Sequence, residues 1–130
     1  MRFANWEYPD IVDMIPNKYG WMVQHSKNLK LGMDTDIGAF TYINARYNVV
    51  IEAEVQIGSH CSIYSASTID KKAGCVTLKK GCCIGTHSTV MPDVTVGENA
   101  VVGAHSFVNQ DIPANETWAG VPARNLKKSW

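Results

Sequence analysis

Residues 76–108 read VTLKKGCCIGTHSTVMPDVTVGENAVVGAHSFV. Within them Leu78, Ile84, Val90, Val96, Val102 and Val108 recur at an unbroken spacing of six. Two residues ahead of each stand Val76, Cys82, Ser88, Val94, Ala100 and Ser106, all small or medium-sized. Gly85, Gly97 and Gly103 follow three of the aliphatic residues. A helix needs a period near 3.6 and a plain strand a period of 2. A period of six, with Gly or polar residues between rungs, predicts short strands separated by turns. Three such strands make one triangular coil of a β-helix, with the aliphatic side chains pointing inward and stacking from coil to coil.

The pattern reaches back along the chain. Leu31, Ile37 and Ile43 follow one another at six, preceded by Leu29, Thr35 and Thr41. The spacing then slips by two to Ile51 and resumes at Ile57, Ile63 and Ile69. A second slip of three leads to Leu78, across the polar segment Asp70–Cys75. Three rungs per coil give somewhat over four coils, about 4.8 Å apart. The slips are expected to bulge from corners without disturbing the stack.

Residues 1–30 are read as an N-terminal capping segment, rich in Trp6, Tyr8, Ile11, Met14, Ile15, Tyr19 and Trp21. A turn is expected at Asn17–Gly20 and a short helix over Asp10–Ile15. An open β-helix end exposes unpaired backbone groups, so this segment is expected to cover one. The body is assigned to residues 31–112. Pro113 and Pro122 lack the donor a ladder needs, so residues 113–130 are expected to leave the prism as an extended tail, basic through Arg124, Lys127 and Lys128. The whole is one all-β domain.

Twelve Lys and Arg balance twelve Asp and Glu. Zero net charge gives no support to charge-driven nucleic-acid or membrane binding. No apolar run reaches the length of a membrane span, and Glu7, Asp10 and Asp13 interrupt any signal-peptide core. A cytoplasmic protein is expected. Cys82 and Cys83 are adjacent rather than C-x-x-C, and no His or Cys cluster completes a zinc site. The cysteines are read as reduced, Cys61 and Cys82 as core thiols, and no metal is expected. A narrow prism with flat sides predicts a homotrimer.

Three stretches carry a family resemblance: residues 37–44 (IGAFTYIN), residues 83–92 (CIGTHSTVMP), and residues 101–113 (VVGAHSFVNQDIP) running on to the AGVPAR of residues 119–124. They resemble the left-handed β-helix acyltransferases, in particular the galactoside and maltose O-acetyltransferase group. The resemblance implies a left-handed coil and acetyl-CoA as cosubstrate, bound between two subunits. It implies acetyl transfer to a hydroxyl or amino group of a small sugar or nucleotide-sugar, in surface polysaccharide or nucleotide-sugar metabolism. Carried over position by position, it places Thr86, Ala104 and Asn109 along the pantetheine arm. Arg124 and Lys127 fall near the nucleotide phosphates, where basic donors suit a polyanion. Asn44 and Glu52 match sugar-pocket positions, an amide and a carboxylate for hydroxyls.

The catalytic base departs from the family pattern. The loop after Ile69 holds no His, and Glu52-Ala53-Glu54 stands where amino-sugar N-acetyltransferases have Glu-His-Glu. Of the four histidines, His25 lies outside the repeat, and His60, His87 and His105 each fall three residues after a rung, at an outward corner. His87 and His105 are 18 apart, so they share a corner beside Thr86 and Ala104. His60 is assigned to another corner, unless the Asp70–Cys75 segment shifts the count of faces. His87 is therefore the first candidate base and His60 the second. Two other readings are weighed. A γ-type carbonic anhydrase needs three zinc-bound His including a pair close in sequence, which this chain lacks. A noncatalytic β-helix, scaffold or ice-binding, fits poorly with mixed and charged outward positions.

Overall fold

The structure, a computed structural model, describes residues 4–128. It is a left-handed parallel β-helix with three faces. The first face stacks Met22–Gln24, Tyr42–Asn44, Ser62–Tyr64, Thr89–Val90 and Phe107–Val108. The second stacks Leu29–Leu31, Val49–Ile51, Val76–Leu78 and Thr95–Val96. The third stacks Asp36–Ile37, Gln56–Ile57, Cys83–Ile84, Val101–Val102 and Thr117–Ala119, with Arg124–Asn125 added antiparallel at its edge.

The rungs make the core. Ile43, Ile63, Val90 and Val108 stand in register on the first face, and Ile37, Ile57, Ile84 and Val102 on the third. All eight are buried. Cys61 and Cys82 are buried core thiols, as their inward positions require. The glycine after a rung has a steric cause. A Cβ on Gly85 would lie 2.5 Å from the backbone nitrogen of Ala104, and one on Gly38 would lie 2.4 Å from that of Ser59. No side chain fits there while the coils keep their hydrogen-bonded separation.

Three expectations are corrected. Ile69 is not a rung: it is 92% exposed, in the antiparallel hairpin Ala66–Ser67/Lys72–Ala73. Leu78 therefore stacks directly on Ile51, and the hairpin removes one expected rung from the count of faces. Residues 10–15 form no helix. A Val12–Ile15 bridge closes a tight turn there, with Met14 at φ 60°, and six residues between Pro9 and Pro16 leave little room for more. The stack also extends beyond the sixfold spacing at both ends. Val23 pairs with Ile43 and Trp118 with Val102. Corners of irregular length take both out of the sixfold pattern: eight residues run from Val23 to Leu31 and four from Val108 to Ile112. Trp21 and Ile11 pack on the N-terminal end of the core, and the Trp6 indole donates to the Thr35 carbonyl at 2.8 Å. Among the described residues no helix is long and apolar enough to cross a membrane.

This register predicts unequal costs for two aliphatic truncations. At fixed protein concentration, urea unfolding of Leu78→Ala should show a loss of about 2–5 kcal/mol. Ile69→Ala should stay within about 0.5 kcal/mol of the parent. Comparable losses for the two would contradict the hairpin.

Candidate active site

The corner between the third and first faces is built four times over. Ile-Gly-Ala-Phe-Thr, Ile-Gly-Ser-His-Cys, Ile-Gly-Thr-His-Ser and Val-Gly-Ala-His-Ser begin at residues 37, 57, 84 and 102. In each, the fourth residue takes the left-handed conformation: Phe40, His60, His87 and His105 have φ of 66°, 58°, 58° and 56°. Histidine is among the non-glycine residues that tolerate it. The His60, His87 and His105 amides donate to the carbonyls of Ala39, Ser59 and Thr86 in the neighbouring coil. The side chains consequently form a column. The rings of His60 and His87 lie 4.7 Å apart at 4°, and those of His87 and His105 4.9 Å apart at 14°. Phe40 continues the stack 4.9 Å from His60.

His60 thus shares the corner with His87 and His105. The hairpin does shift the count of faces, and coils separated by it repeat at 27 residues rather than 18. The signal was in the sequence: residues 57–63, IGSHCSI, and residues 84–90, IGTHSTV, match at a spacing of 27.

Behind the rings runs a buried polar column. Thr41 Oγ1 donates to Gly58 O at 2.8 Å, Cys61 Sγ to Gly85 O at 3.2 Å, and Ser88 Oγ to Gly103 O at 3.1 Å. Burial pushes the Cys61 thiol up from its ordinary value. Beside the rings runs a third column, Ala39, Ser59, Thr86 and Ala104. It continues downward because Gly103 packs against Ala119 and the amide of Gly120 donates to Ser106 Oγ. An open depression of about 400 Å³ borders it on the third face, lined among others by Gly38, Gly58, Gly85, Cys83 and Val101.

Thr86 makes the site's most specific contacts. Its Oγ1 donates to the Ser59 carbonyl at 2.8 Å and lies 2.9 Å from His87 Nδ1. Among the described residues His87 alone of the three stacked imidazoles has a ring hydrogen bond.

The other expected site residues lie apart from this corner within one chain. Asn44 ends a first-face strand, and its Oδ1 accepts the Arg46 amide at 3.1 Å. Glu52 follows the second face, and its Oε1 accepts the Lys80 amide at 2.9 Å, tying one coil to the next. Asn109 follows the first face, in an open cleft of about 410 Å³ shared with Lys71, Lys72, Asp93 and Gln110. Arg124 and Lys127 lie at the C-terminal edge of the third face, below Ala104. Arg124 pairs with Ala119, and Lys127 is in a single turn of 3-10 helix. Glu116 anchors this edge by accepting from the Trp118 indole and from Asn125. Among the described residues no three His, Cys, Asp or Glu side chains are placed to share a metal ion. The three imidazoles stand parallel rather than convergent.

Residues 75–110 match the family model described as bacterial transferase hexapeptide (six repeats). The chain belongs to the hexapeptide-repeat transferase family. It is 29% identical to a serine acetyltransferase of Synechococcus elongatus, over 98% of this chain and 54% of the relative. It is 32% identical to the galactoside O-acetyltransferase of Escherichia coli K12, over 75% of this chain and 55% of the relative. The chain therefore spans about half the length of these curated relatives. Among solved structures, it superposes on a hexapeptide-repeat-containing acetyltransferase of Vibrio cholerae, complexed with acetyl coenzyme A. The TM-score is 0.75 at 25% identity, covering 82% of this chain and 63% of that one.

The cysteines give a test of the burial pattern. Burial, with Cys83 and Glu52 alongside, pushes the Cys82 thiol up to about 12, whereas Cys75 is exposed. Because the thiolate is the reactive form, a disulfide reagent at mildly alkaline pH should modify Cys75 first. Cys82 should react only after unfolding, as mass spectrometry of digests would show. Prompt labelling of Cys82 in the folded protein would contradict its placement.

Proposed function

We propose that this protein is an acetyl-CoA-dependent acetyltransferase whose reaction takes place at the histidine corner. The observation that carries the reading is His87, an exposed imidazole held by a hydrogen bond beside the Thr86–Ala104 column. The fold's likeness to an acetyltransferase complexed with acetyl coenzyme A supports acetyl-CoA as the donor. The names of both curated relatives share the acetyl group and differ in the acceptor.

In this reading the pantetheine arm follows Thr86, Ala104 and the 400 Å³ depression beside them. Arg124 and Lys127, at the foot of the same column, meet the phosphates. The acceptor is a sugar hydroxyl or amino group, free or nucleotide-linked. His87 takes its proton as the oxygen or nitrogen attacks the thioester carbonyl. The new C–O or C–N bond forms, the C–S bond breaks, and the proton passes on to the departing thiolate.

A homotrimer belongs to the same reading. Asn44, Glu52 and Asn109 lie on other corners of the chain that carries His87. Rotation about an axis parallel to the prism brings different corners of neighbouring copies together, and the interfaces close into a ring. The sugar pocket then draws Asn44 and Glu52 from a neighbouring copy.

Release of CoA from acetyl-CoA, followed with a thiol reagent over a panel of sugars, nucleotide-sugars and serine, tests the reading. With the acceptor that turns over, His87→Ala should lower kcat about 10²-fold, and His60→Ala much less. A two- or threefold effect of His87→Ala would remove His87 from the mechanism.

A further inference from the structure

Three histidines stack on one corner, yet among the described residues only one is held by its ring, and the reason lies in the residue before each. Ala104 precedes His105 and offers no hydroxyl. Ser59 precedes His60, but its Oγ lies 3.3 Å from Thr86 Oγ1 instead. Thr86 precedes His87 and reaches Nδ1.

Hydrogen-bond accounting then fixes a proton. Thr86 Oγ1 and the Ser59 carbonyl oxygen are 2.8 Å apart. Two oxygens at that distance need a hydrogen between them, and a carbonyl has none to give, so the Thr86 hydroxyl donates its single hydrogen to Ser59. Ser59 O also takes the His87 amide at 3.1 Å, which fills its second lone pair. With its hydrogen spent, Thr86 Oγ1 can only accept from His87 Nδ1. The Ser59 hydroxyl fits its remaining lone pair.

We infer that Thr86 is a positioning residue that holds His87 in the Nδ1–H tautomer, so that the Nε2 lone pair faces outward from the corner. The inference rests on His87 being the base of the proposed reaction. The hydroxyl and the carbonyl behind it do for this imidazole what a carboxylate does in hydrolase triads: they select the tautomer and fix the ring. Only Nε2 is then free to take the acceptor's proton. The same bond sets His87 apart from His60 and His105, whose stacking alone favours neither nitrogen.

The test reads the tautomer directly. Nitrogen NMR of uniformly 15N-labelled full-length protein distinguishes a protonated ring nitrogen from a lone-pair nitrogen. It is recorded well above the ordinary imidazole range, with His87 assigned by the signals lost in His87→Ala. The parent protein should show Nδ1–H. Thr86→Val, which keeps the shape without the hydroxyl, should shift His87 to a mixture or to Nε2–H, and Thr86→Ser should restore Nδ1–H. In turnover, Thr86→Val should lower kcat about tenfold, a part of the roughly 10²-fold carried by the base. Thr86→Ser should recover the rate. Nε2–H in the parent, or a tautomer unmoved by Thr86→Val, would overturn the inference. If His87→Ala leaves turnover unchanged while the Thr86-dependent tautomer is observed, the role of base falls and the tautomer assignment stands.

Discussion

Parallel backbone hydrogen bonds hold each coil to the next so closely that, at the corner between the third and first faces, the residue after four of the rungs has no room for a Cβ. Gly38, Gly58, Gly85 and Gly103 accept that constraint. Everything outward of them inherits the interstrand repeat of about 4.8 Å. A side chain at a given corner position stands over its equivalent in the next coil, whatever the two residues are. The chain thus writes columns rather than patches, and a long, narrow ligand is the natural complement of a column.

The imidazole stack illustrates what this constraint does and does not explain. Ring separations of 4.7 and 4.9 Å are the coil repeat itself. Three histidines at one corner, all in the left-handed conformation, have little choice but to lie face to face. Stacking alone therefore says little about chemistry. The distinction among them comes from the neighbouring column, where Ala39, Ser59, Thr86 and Ala104 differ in a way the coil geometry does not impose. The buried polar column behind, Thr41, Cys61, Ser88 and Ser106, serves the fold instead. Thr41 and Cys61 satisfy the corner carbonyls of Gly58 and Gly85, and Ser88 and Ser106 both donate to that of Gly103.

Much of this architecture was legible in the sequence, because a sixfold alternation of aliphatic and small residues has few other physical solutions. Ile69 misled because an isoleucine six residues after Ile63 looks like a rung, while it lies exposed in the turn of a hairpin. Val23 and Trp118 were hidden by corners of irregular length. For the site, the Thr86–Ala104 row and the His87–His105 pair followed from a spacing of 18. The placement of His60 needed the 27-residue match between its corner and that of His87. The bond from Thr86 to His87 depends on side-chain torsions, which no spacing encodes. Asn44 and Asn109 share the corner after the first face and Glu52 sits on the corner after the second, and a sequence read along one chain carries no information on which copies of it meet.

The claim on which the rest turns is that this corner receives the acyl donor. The most direct measurement is a crystal structure of the full chain with acetyl-CoA. The account predicts pantetheine density running along Ser59, Thr86, Ala104 and Gly120, with the thioester near His87 and the phosphates toward Arg124. Density confined to the cleft of Lys71, Asp93 and Asn109, or to any face away from the histidine column, would contradict it.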